Sequence, residues 1–133
     1  MVSVETIHLA STLVMVGLIL FVQIVHYPLM ARVGADGFEA YEAGHTFRTG
    51  LLVVPLMITE LGSAIWIAAM PAAAEGRLLA VIWTSTALLQ APAHRRLSAG
   101  FDATVHRKLV RTNWIRTVSW MGRIPVAFAL LPW

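Results

Sequence analysis

Four long apolar stretches divide this chain, and each carries polar side chains at helical spacing. A polar side chain within the hydrocarbon of a bilayer is costly, so such residues normally face the interior of a helix bundle. The stretches cover residues 7–30, 51–70, 78–97 and 105–133. Each is close to the roughly 20 residues that a helix needs to cross the hydrocarbon core. The sequence therefore predicts an all-α fold, an integral-membrane four-helix bundle with a polar interior.

The composition indicates a single four-span domain that covers residues 1–133. Hydrophobic residues make up 58% of the chain and charged residues 13%, whereas about a quarter of the residues in a soluble domain are charged. The net charge is +3, but the basic residues border the apolar stretches, which indicates topology signals and not nucleic-acid binding. There is no cysteine, which excludes disulfides and thiolate metal ligands.

The positions of the basic residues predict the orientation of the bundle, because Lys and Arg are enriched on the cytoplasmic side of membrane proteins. Seven of them lie in or beside the first and third connections: Arg32, Arg48, Arg95, Arg96, Arg107, Lys108 and Arg111. The opposite side holds Arg77 and, near the end of the fourth stretch, Arg123. We expect a protein of the inner or plasma membrane with both termini outside and with loops 31–50 and 95–111 in the cytoplasm.

Three histidines from three stretches are expected at one depth on the cytoplasmic side: His26, His45 and His94. Neutral imidazole suits iron, copper or zinc, so these histidines are candidate ligands of a transition metal. Two alternatives remain open: a haem between two axial histidines, for which so small a chain has little room, and a network that only bridges helices. Glu42 and His106 are expected at the rim of this layer. His8 lies about 27 Å away along the first helix, too far to share the ligand.

The other candidate site residues are polar residues expected near these histidines. Gln23 lies about one turn from His26, and we expect it to support the cofactor by orienting an imidazole. Gln90, Asn113 and Arg116 are the candidate catalytic residues. The two amides would orient imidazoles, and Arg116 would bind an oxygen atom of the substrate.

A buried ion pair is expected deeper in the bundle. Glu60 lies within the second apolar stretch, and an unpaired charge in hydrocarbon is costly. Its expected counter-charge is Arg116 or Arg123. Glu75, in contrast, lies in a tight connection over residues 71–76 and is expected at the surface.

The second half of the chain resembles a known family. The segments Thr86-Ala-Leu-Leu-Gln90-Ala-Pro92-Ala-His94 and Leu109-Val-Arg-Thr-Asn113-Trp-Ile-Arg116 are similar to the signature of the anthrone-oxygenase-like family, a group of small four-helix membrane proteins. Tyr27-Pro28-Leu29 resembles the end of that family's first helix. Gln90 and His94 stand where the family has asparagines, and His26 and His45 lie outside its pattern. The resemblance implies a four-helix fold and the oxidation of a polycyclic anthrone to a quinone by oxygen.

Together these features predict a membrane-embedded, metal-dependent oxidoreductase or oxygenase. Its substrate would be a lipophilic aromatic or quinone-like small molecule, and the protein would lie in the lipid bilayer. A homo-oligomer is possible. The alternative is a non-enzymatic small membrane protein, either a ligand- or haem-binding protein or an accessory subunit, whose polar core fixes helix packing. Whether the protein is an enzyme is left open by the sequence.

Overall fold

The computed structural model describes residues 2–67 and 73–131, and within these ranges the chain forms four helices and no β-strand. The first helix comprises Val4–Phe21, a π-helical turn Val22–His26, and Tyr27–Met30, and the second is Ala35–Ile67. The third helix comprises Ala73–Ser85, a π-helical turn Thr86–Gln90, and Ala91–Leu97, and the fourth is Ala103–Ala129. The all-α expectation is confirmed. Residues 71 and 72 of the expected connection 71–76 lie outside the described residues, and residues 73–76 belong to the third helix. The ends of the second and fourth apolar stretches also lie outside the described residues.

Local sequence explains where the helices begin. The Ser3 hydroxyl accepts a hydrogen bond from the Thr6 N–H and caps the first helix. The Asp102 carboxylate accepts from the N–H groups of Thr104 and Val105, at 2.7 and 3.0 Å, and caps the fourth. Such side chains satisfy N–H groups that have no partner within the helix.

The first and third helices both contain a π-helical turn directly before a proline. In the first, the N–H of Tyr27 bonds to the carbonyl of Val22, and Pro28 follows. In the third, the N–H of Ala91 bonds to the carbonyl of Thr86, and Pro92 follows. Proline has no N–H and removes a regular helix bond, so a wider turn at these positions lets each helix continue past it.

The second helix is longer than expected. It runs without a break over Ala35–Ile67, 33 residues, or about 50 Å. Most of the expected loop 31–50 is therefore helical, and the expected loop 95–111 likewise belongs largely to the third and fourth helices. No residue between Ala35 and Gly50 is a proline, so nothing in this segment blocks the helical hydrogen-bond ladder. The orientation across a membrane stays a prediction.

Many polar side chains lie inside the bundle together with its apolar core, and many large apolar side chains lie on its surface. Glu60, Arg123 and His8 are 0% exposed, whereas Trp66 is 71% exposed and Phe47 68%. Charged side chains are almost never fully buried in soluble proteins unless they are paired. Two helices, Val4–Met30 and Ala35–Ile67, are long and apolar enough to cross a membrane, judged by length and composition.

Packing arranges the helices in the spatial order second, first, fourth, third. The most extensive packing is between the third and fourth helices, the first and fourth, and the first and second. The second and third helices touch less, near residues 73–85 and 91–97 of the third. The seam between the second and third helices is therefore the least closely packed side of the bundle, and the candidate site lies beside it.

Candidate functional site

The expected histidine layer forms at one end of the bundle. The ring centroids of His26 and His45 lie 4.2 Å apart and are stacked, and those of His45 and His94 lie 5.4 Å apart. The first, second and third helices each contribute one ring. Tyr27 and Tyr41 pack against this group, with Tyr41 stacked on His26 at 5.8 Å. We call these five residues the histidine layer.

Each imidazole of the histidine layer is held through its Nδ1 atom. Nδ1 of His94 lies 2.7 Å from Oε1 of Glu42, and Nδ1 of His45 lies 3.1 Å from the Thr49 hydroxyl. Nδ1 of His26 lies 3.4 Å from the Tyr41 hydroxyl. Metal-binding histidines are commonly held in this way, by a hydrogen bond at the nitrogen that does not bind the metal. The arrangement leaves Nε2 of His26 and His45 as candidate ligands, since Nε2 of His94 contacts the Tyr27 hydroxyl. The ligand atoms of the three histidines do not all lie within 4.8 Å of one another.

Glu42, His94 and Tyr27 form a chain of hydrogen bonds across three helices. An ionised Glu42 can only accept, so Nδ1 of His94 carries the proton of a neutral ring. Nε2 of His94 then accepts from the Tyr27 hydroxyl, which lies 3.1 Å away. Tyr27 is 2% exposed and Glu42 0%. A partly buried imidazole between a carboxylate and a phenol can take up and return a proton.

Glu42 does not lie at the rim, and that expectation was wrong. The long second helix carries Glu42 inward against the third helix, where its carboxylate binds His94. The helical spacing of Glu42 and His45 was the available signal, since residues three apart lie on one face. His106 is also buried: its Nε2 donates to the Tyr27 carbonyl, 2.9 Å away, near the end of the first helix.

The predicted amides bond to the fourth helix and to each other. Asn113 Nδ2 donates to Gln23 Oε1 at 2.8 Å, and Gln23 Nε2 donates to the Val110 carbonyl at 3.1 Å. Arg116 NH1 donates to Asn113 Oδ1 at 3.3 Å. Gln90 Nε2 lies 3.4 Å from the Thr112 hydroxyl. These bonds join helices, whereas the imidazoles are oriented by Glu42, Thr49 and Tyr41.

A cavity of about 350 Å³ adjoins the histidine layer, within the usual range of small-molecule sites. Its apolar lining comes mainly from the first and second helices: Met15, Leu18, Ile19, Val22, Val53, Val54 and Met57. Its polar lining comes from all four helices: Tyr27, His45, Thr49, Thr86, Gln90, His94 and Arg116. The cavity thus brings the predicted residues His45, His94, Gln90 and Arg116 together, but Gln23, His26 and Asn113 do not line it.

Several buried polar atoms around this region have no hydrogen-bond partner among the described residues. They are His26 Nε2, Glu42 Oε2, Gln90 Oε1 and Arg116 Nε. Buried polar groups in folded proteins are nearly always paired, so each unpaired one requires an explanation. Gln90 supplies an acceptor and Arg116 a donor at the cavity wall.

A second polar group lies at the opposite end of the bundle, and we call it the outer cluster: His8, Glu60, Glu75 and Arg123. Arg123 NH2 contacts both carboxylates, and Arg123 Nε donates to Glu75 at 2.6 Å. Nε2 of His8 lies 3.1 Å from Glu75. The expected pairing of Glu60 with Arg116 or Arg123 is confirmed, with Arg123 as the partner.

The surface position expected for Glu75 was wrong. Glu75 is 2% exposed and lies in the first turn of the third helix, which begins at Ala73. Alanine is the strongest helix former and an acidic residue favours the first turn, so Ala73, Ala74 and Glu75 were available signals for a helix start before Leu78. The ligand atoms of His8, Glu60 and Glu75 all lie within 4.8 Å of one another, so this buried group could hold a metal ion. Arg123 already supplies positive charge there.

None of the family models, curated proteins and solved structures compared with this chain matches it. The resemblance to the anthrone-oxygenase-like family therefore stays a prediction.

Proposed function

We propose that this protein is a membrane-embedded oxidoreductase or oxygenase that acts on a lipophilic, aromatic or quinone-like molecule bound in the cavity beside the histidine layer. The observation that carries the proposal is the composition of that cavity. Apolar side chains form most of its wall, and His45, His94, Gln90 and Arg116 supply polar groups to the same space. A flat apolar molecule with one oxygen-bearing end fits such a lining.

Arg116 suggests how the substrate is oriented. It lines the cavity, and a substrate carbonyl oxygen would accept a hydrogen bond from its guanidinium. This bond strengthens as negative charge develops on that oxygen, which is the condition for catalysis by charge stabilisation. Asn113 holds the guanidinium in place through Arg116 NH1. Arg116 is therefore assigned to binding the substrate oxygen.

The Glu42–His94–Tyr27 chain is assigned to proton transfer. His94 Nε2 removes a proton from the carbon that is oxidised, directly or through the Tyr27 hydroxyl, and Glu42 stabilises the imidazolium that forms. For an anthrone, the methylene carbon loses two C–H bonds and gains one C=O bond. Dioxygen supplies that oxygen atom, and its other atom leaves as water with the two protons, so electrons and atoms balance.

The metal predicted at His26, His45 and His94 is the alternative to this proton transfer, because Nε2 of His94 cannot bind a metal and accept a proton at the same time. The unpaired, buried Nε2 of His26 fits a metal ligand, and each of the three rings is held at Nδ1. A transition metal bound there would supply redox chemistry and activation of oxygen. Haem, the other cofactor considered, would use two of these histidines as axial ligands.

Oxygen uptake by the purified protein in lipid nanodiscs, supplied with anthrone and with iron, copper or zinc, tests the proposal. Formation of the quinone is followed in parallel by its absorbance. We expect turnover above the rate in protein-free nanodiscs, and a loss of about 10²-fold or more in His94→Ala, the usual contribution of a general base. Glu39→Gln is the control, because Glu39 is exposed on the same helix as Glu42.

Wild-type protein that consumes no more oxygen than empty nanodiscs with any of these metals would overturn the oxygenase proposal. Retention of a lipophilic aromatic ketone by such inactive protein would favour the alternative, a ligand-binding membrane protein. In that case, the Gln23–Asn113–Arg116 hydrogen bonds and the outer cluster would serve helix packing.

A further inference from the structure

The cavity is closed along the bundle axis by two buried apolar clusters. On the side of the histidine layer the closing cluster includes Met30, Phe38, Leu97 and Leu109, which are at most 1% exposed. Toward the outer cluster the closing residues include Ile82 and Trp120, both 0% exposed. Neither end of the bundle therefore gives a ligand an open path from water to the cavity.

The remaining side is the seam between the second and third helices. These helices touch near residues 73–85 and 91–97 of the third, and the π-helical turn Thr86–Gln90 between these segments contributes Thr86 and Gln90 to the cavity lining. Exposed residues border the cavity on both sides of the seam: Thr46 and Val54 from the second helix and Ala91 from the third. The cavity thus reaches the outer surface of the bundle at this seam.

Gly50 lies at the edge of this opening. It lines the cavity and is half-exposed. A Cβ atom added at Gly50 would meet no other atom within 4 Å. A larger side chain at Gly50 would therefore enter free space beside the cavity without displacing a neighbour. Glycine costs about 0.8–1.0 kcal/mol relative to alanine inside a helix, so its presence here is not explained by helix stability.

We propose that the lipophilic ligand enters the cavity sideways from the bilayer, through the opening between the second and third helices at Gly50, and rests with its oxygen-bearing end toward Gln90 and Arg116. The ligand class is a slender or flat aromatic molecule with a carbonyl or hydroxyl at one end. This inference rests on the cavity assigned in the proposed function, and it adds the route and the residue that controls it. Val54 lines the cavity from the second helix and is 55% exposed, which suits a hydrocarbon environment at the opening.

Photo-crosslinking in nanodiscs tests the route without requiring turnover. The probe is a decyloxy-substituted benzophenone, an aromatic ketone that dissolves in the bilayer. Samples are flashed after short and long incubation, and mass spectrometry locates the labelled residues. The variant is Gly50→Leu, and the matched control is Gly62→Leu on the same helix. Gly62 also has open space around a Cβ atom but does not line the cavity.

We expect wild-type protein and Gly62→Leu to be labelled at cavity residues at the same initial rate. In Gly50→Leu the initial rate should fall about tenfold or more, equivalent to an added barrier of about 1.4 kcal/mol. Leucine favours a helix more than glycine does, so neither variant should unfold the second helix. Val54→Trp, at an exposed position on the same edge, should slow labelling in the same way.

Labelling of Gly50→Leu and Val54→Trp at the wild-type rate would overturn the lateral route. Failure of the probe to label any cavity residue in wild-type protein would overturn it as well. The proposed oxidation is judged separately by oxygen uptake, since labelling proceeds in the absence of substrate turnover. Slow labelling of Gly50→Leu in a protein without oxidase activity would support the route and reject the reaction.

Discussion

Nδ1 of His94 lies 2.7 Å from Oε1 of Glu42, and this bond joins the second and third helices beside the cavity. Glu42→Ala would leave the imidazole without this partner. Loss of one partner of a buried hydrogen bond costs about 1–3 kcal/mol. We expect the free energy of unfolding, measured by denaturation in detergent, to fall by that amount.

The matched control for this change is Glu39→Ala, one turn away on the same helix and exposed. A surface substitution of this kind usually changes stability by less than about 0.5 kcal/mol. Equal stability of the two variants would show that the Glu42–His94 bond contributes nothing to the fold.

The contacts within the outer cluster predict the order in which substitutions there destabilise the protein. Arg123→Met leaves two buried carboxylates without their cation, and removing one partner of a buried ion pair typically costs about 3–5 kcal/mol. Glu60→Gln and Glu75→Gln should each cost less, because one carboxylate still binds Arg123. Melting temperatures should therefore fall least in the glutamine variants and most in Arg123→Met. If Glu75→Gln had the same melting temperature as the surface variant Glu39→Gln, the buried position of Glu75 would be contradicted.

Metal analysis of purified protein distinguishes the two candidate metal sites. Protein expressed with iron, copper and zinc is analysed as wild type and as single alanine variants of His26, His45, His94 and His8. A site in the histidine layer predicts near-stoichiometric metal that is lost in the first three variants and kept in His8→Ala. The reverse pattern would assign the metal to His8, Glu60 and Glu75. A Soret band would identify haem, and metal-free wild type would exclude both metal sites under these conditions.

Asp102 gives a prediction at acidic pH. The backbone N–H groups of Val105 and Thr104 lower the pKa of the Asp102 carboxyl from its usual 3.8. Because the folded pKa lies below the unfolded one, the stabilisation is complete above pH 3.8 and is lost as the pH falls through the folded pKa. The stability difference between wild type and Asp102→Asn should therefore disappear in this acidic range. A difference that stays constant with pH would contradict the charged cap; Asp36→Asn is the control.

Cysteine labelling tests the orientation, since the chain has no cysteine of its own. Single cysteines at Ala35 and Ser98 lie at exposed positions at the histidine end of the bundle, and one at Val2 lies at the other end. The basic residues predict that an impermeant maleimide added outside intact cells labels the cysteine at Val2 and spares the other two. Labelling of the cysteines at Ala35 and Ser98 from outside would reverse the orientation.

Helical spacing was sufficient to predict which residues share a depth. The lengths of the apolar stretches place His26, His45 and His94 at one end of an up-and-down bundle, and the structure brings their rings together. The Asp102 cap and the Glu60–Arg123 pair were also predictable, because the first depends on neighbouring residues and the second on the cost of an unpaired buried charge.

Helical spacing did not predict which side chains at the same depth of the bundle form hydrogen bonds with one another. Whether Gln23 bonds to an imidazole or to Asn113 depends on how far each helix is rotated about its own axis, and a π-helical turn changes that rotation within the first helix. The burial of Glu42 depends on how closely the second helix packs on the third. The burial of Glu75 depends on how the first turn of the third helix packs against Arg123 and His8.

The two π-helical turns give the first and third helices the same local geometry before a proline. Val22 and Thr86 begin these turns, and 86 − 22 is 64; Pro28 and Pro92 are separated by the same 64 residues. Each is followed by a turn with a glycine at positive φ, Gly34 or Gly100, and then by a long helix. The first and third helices run in the same direction through the bundle. Each proline-associated turn therefore has an internal counterpart 64 residues away, with which the effect of a substitution there can be compared.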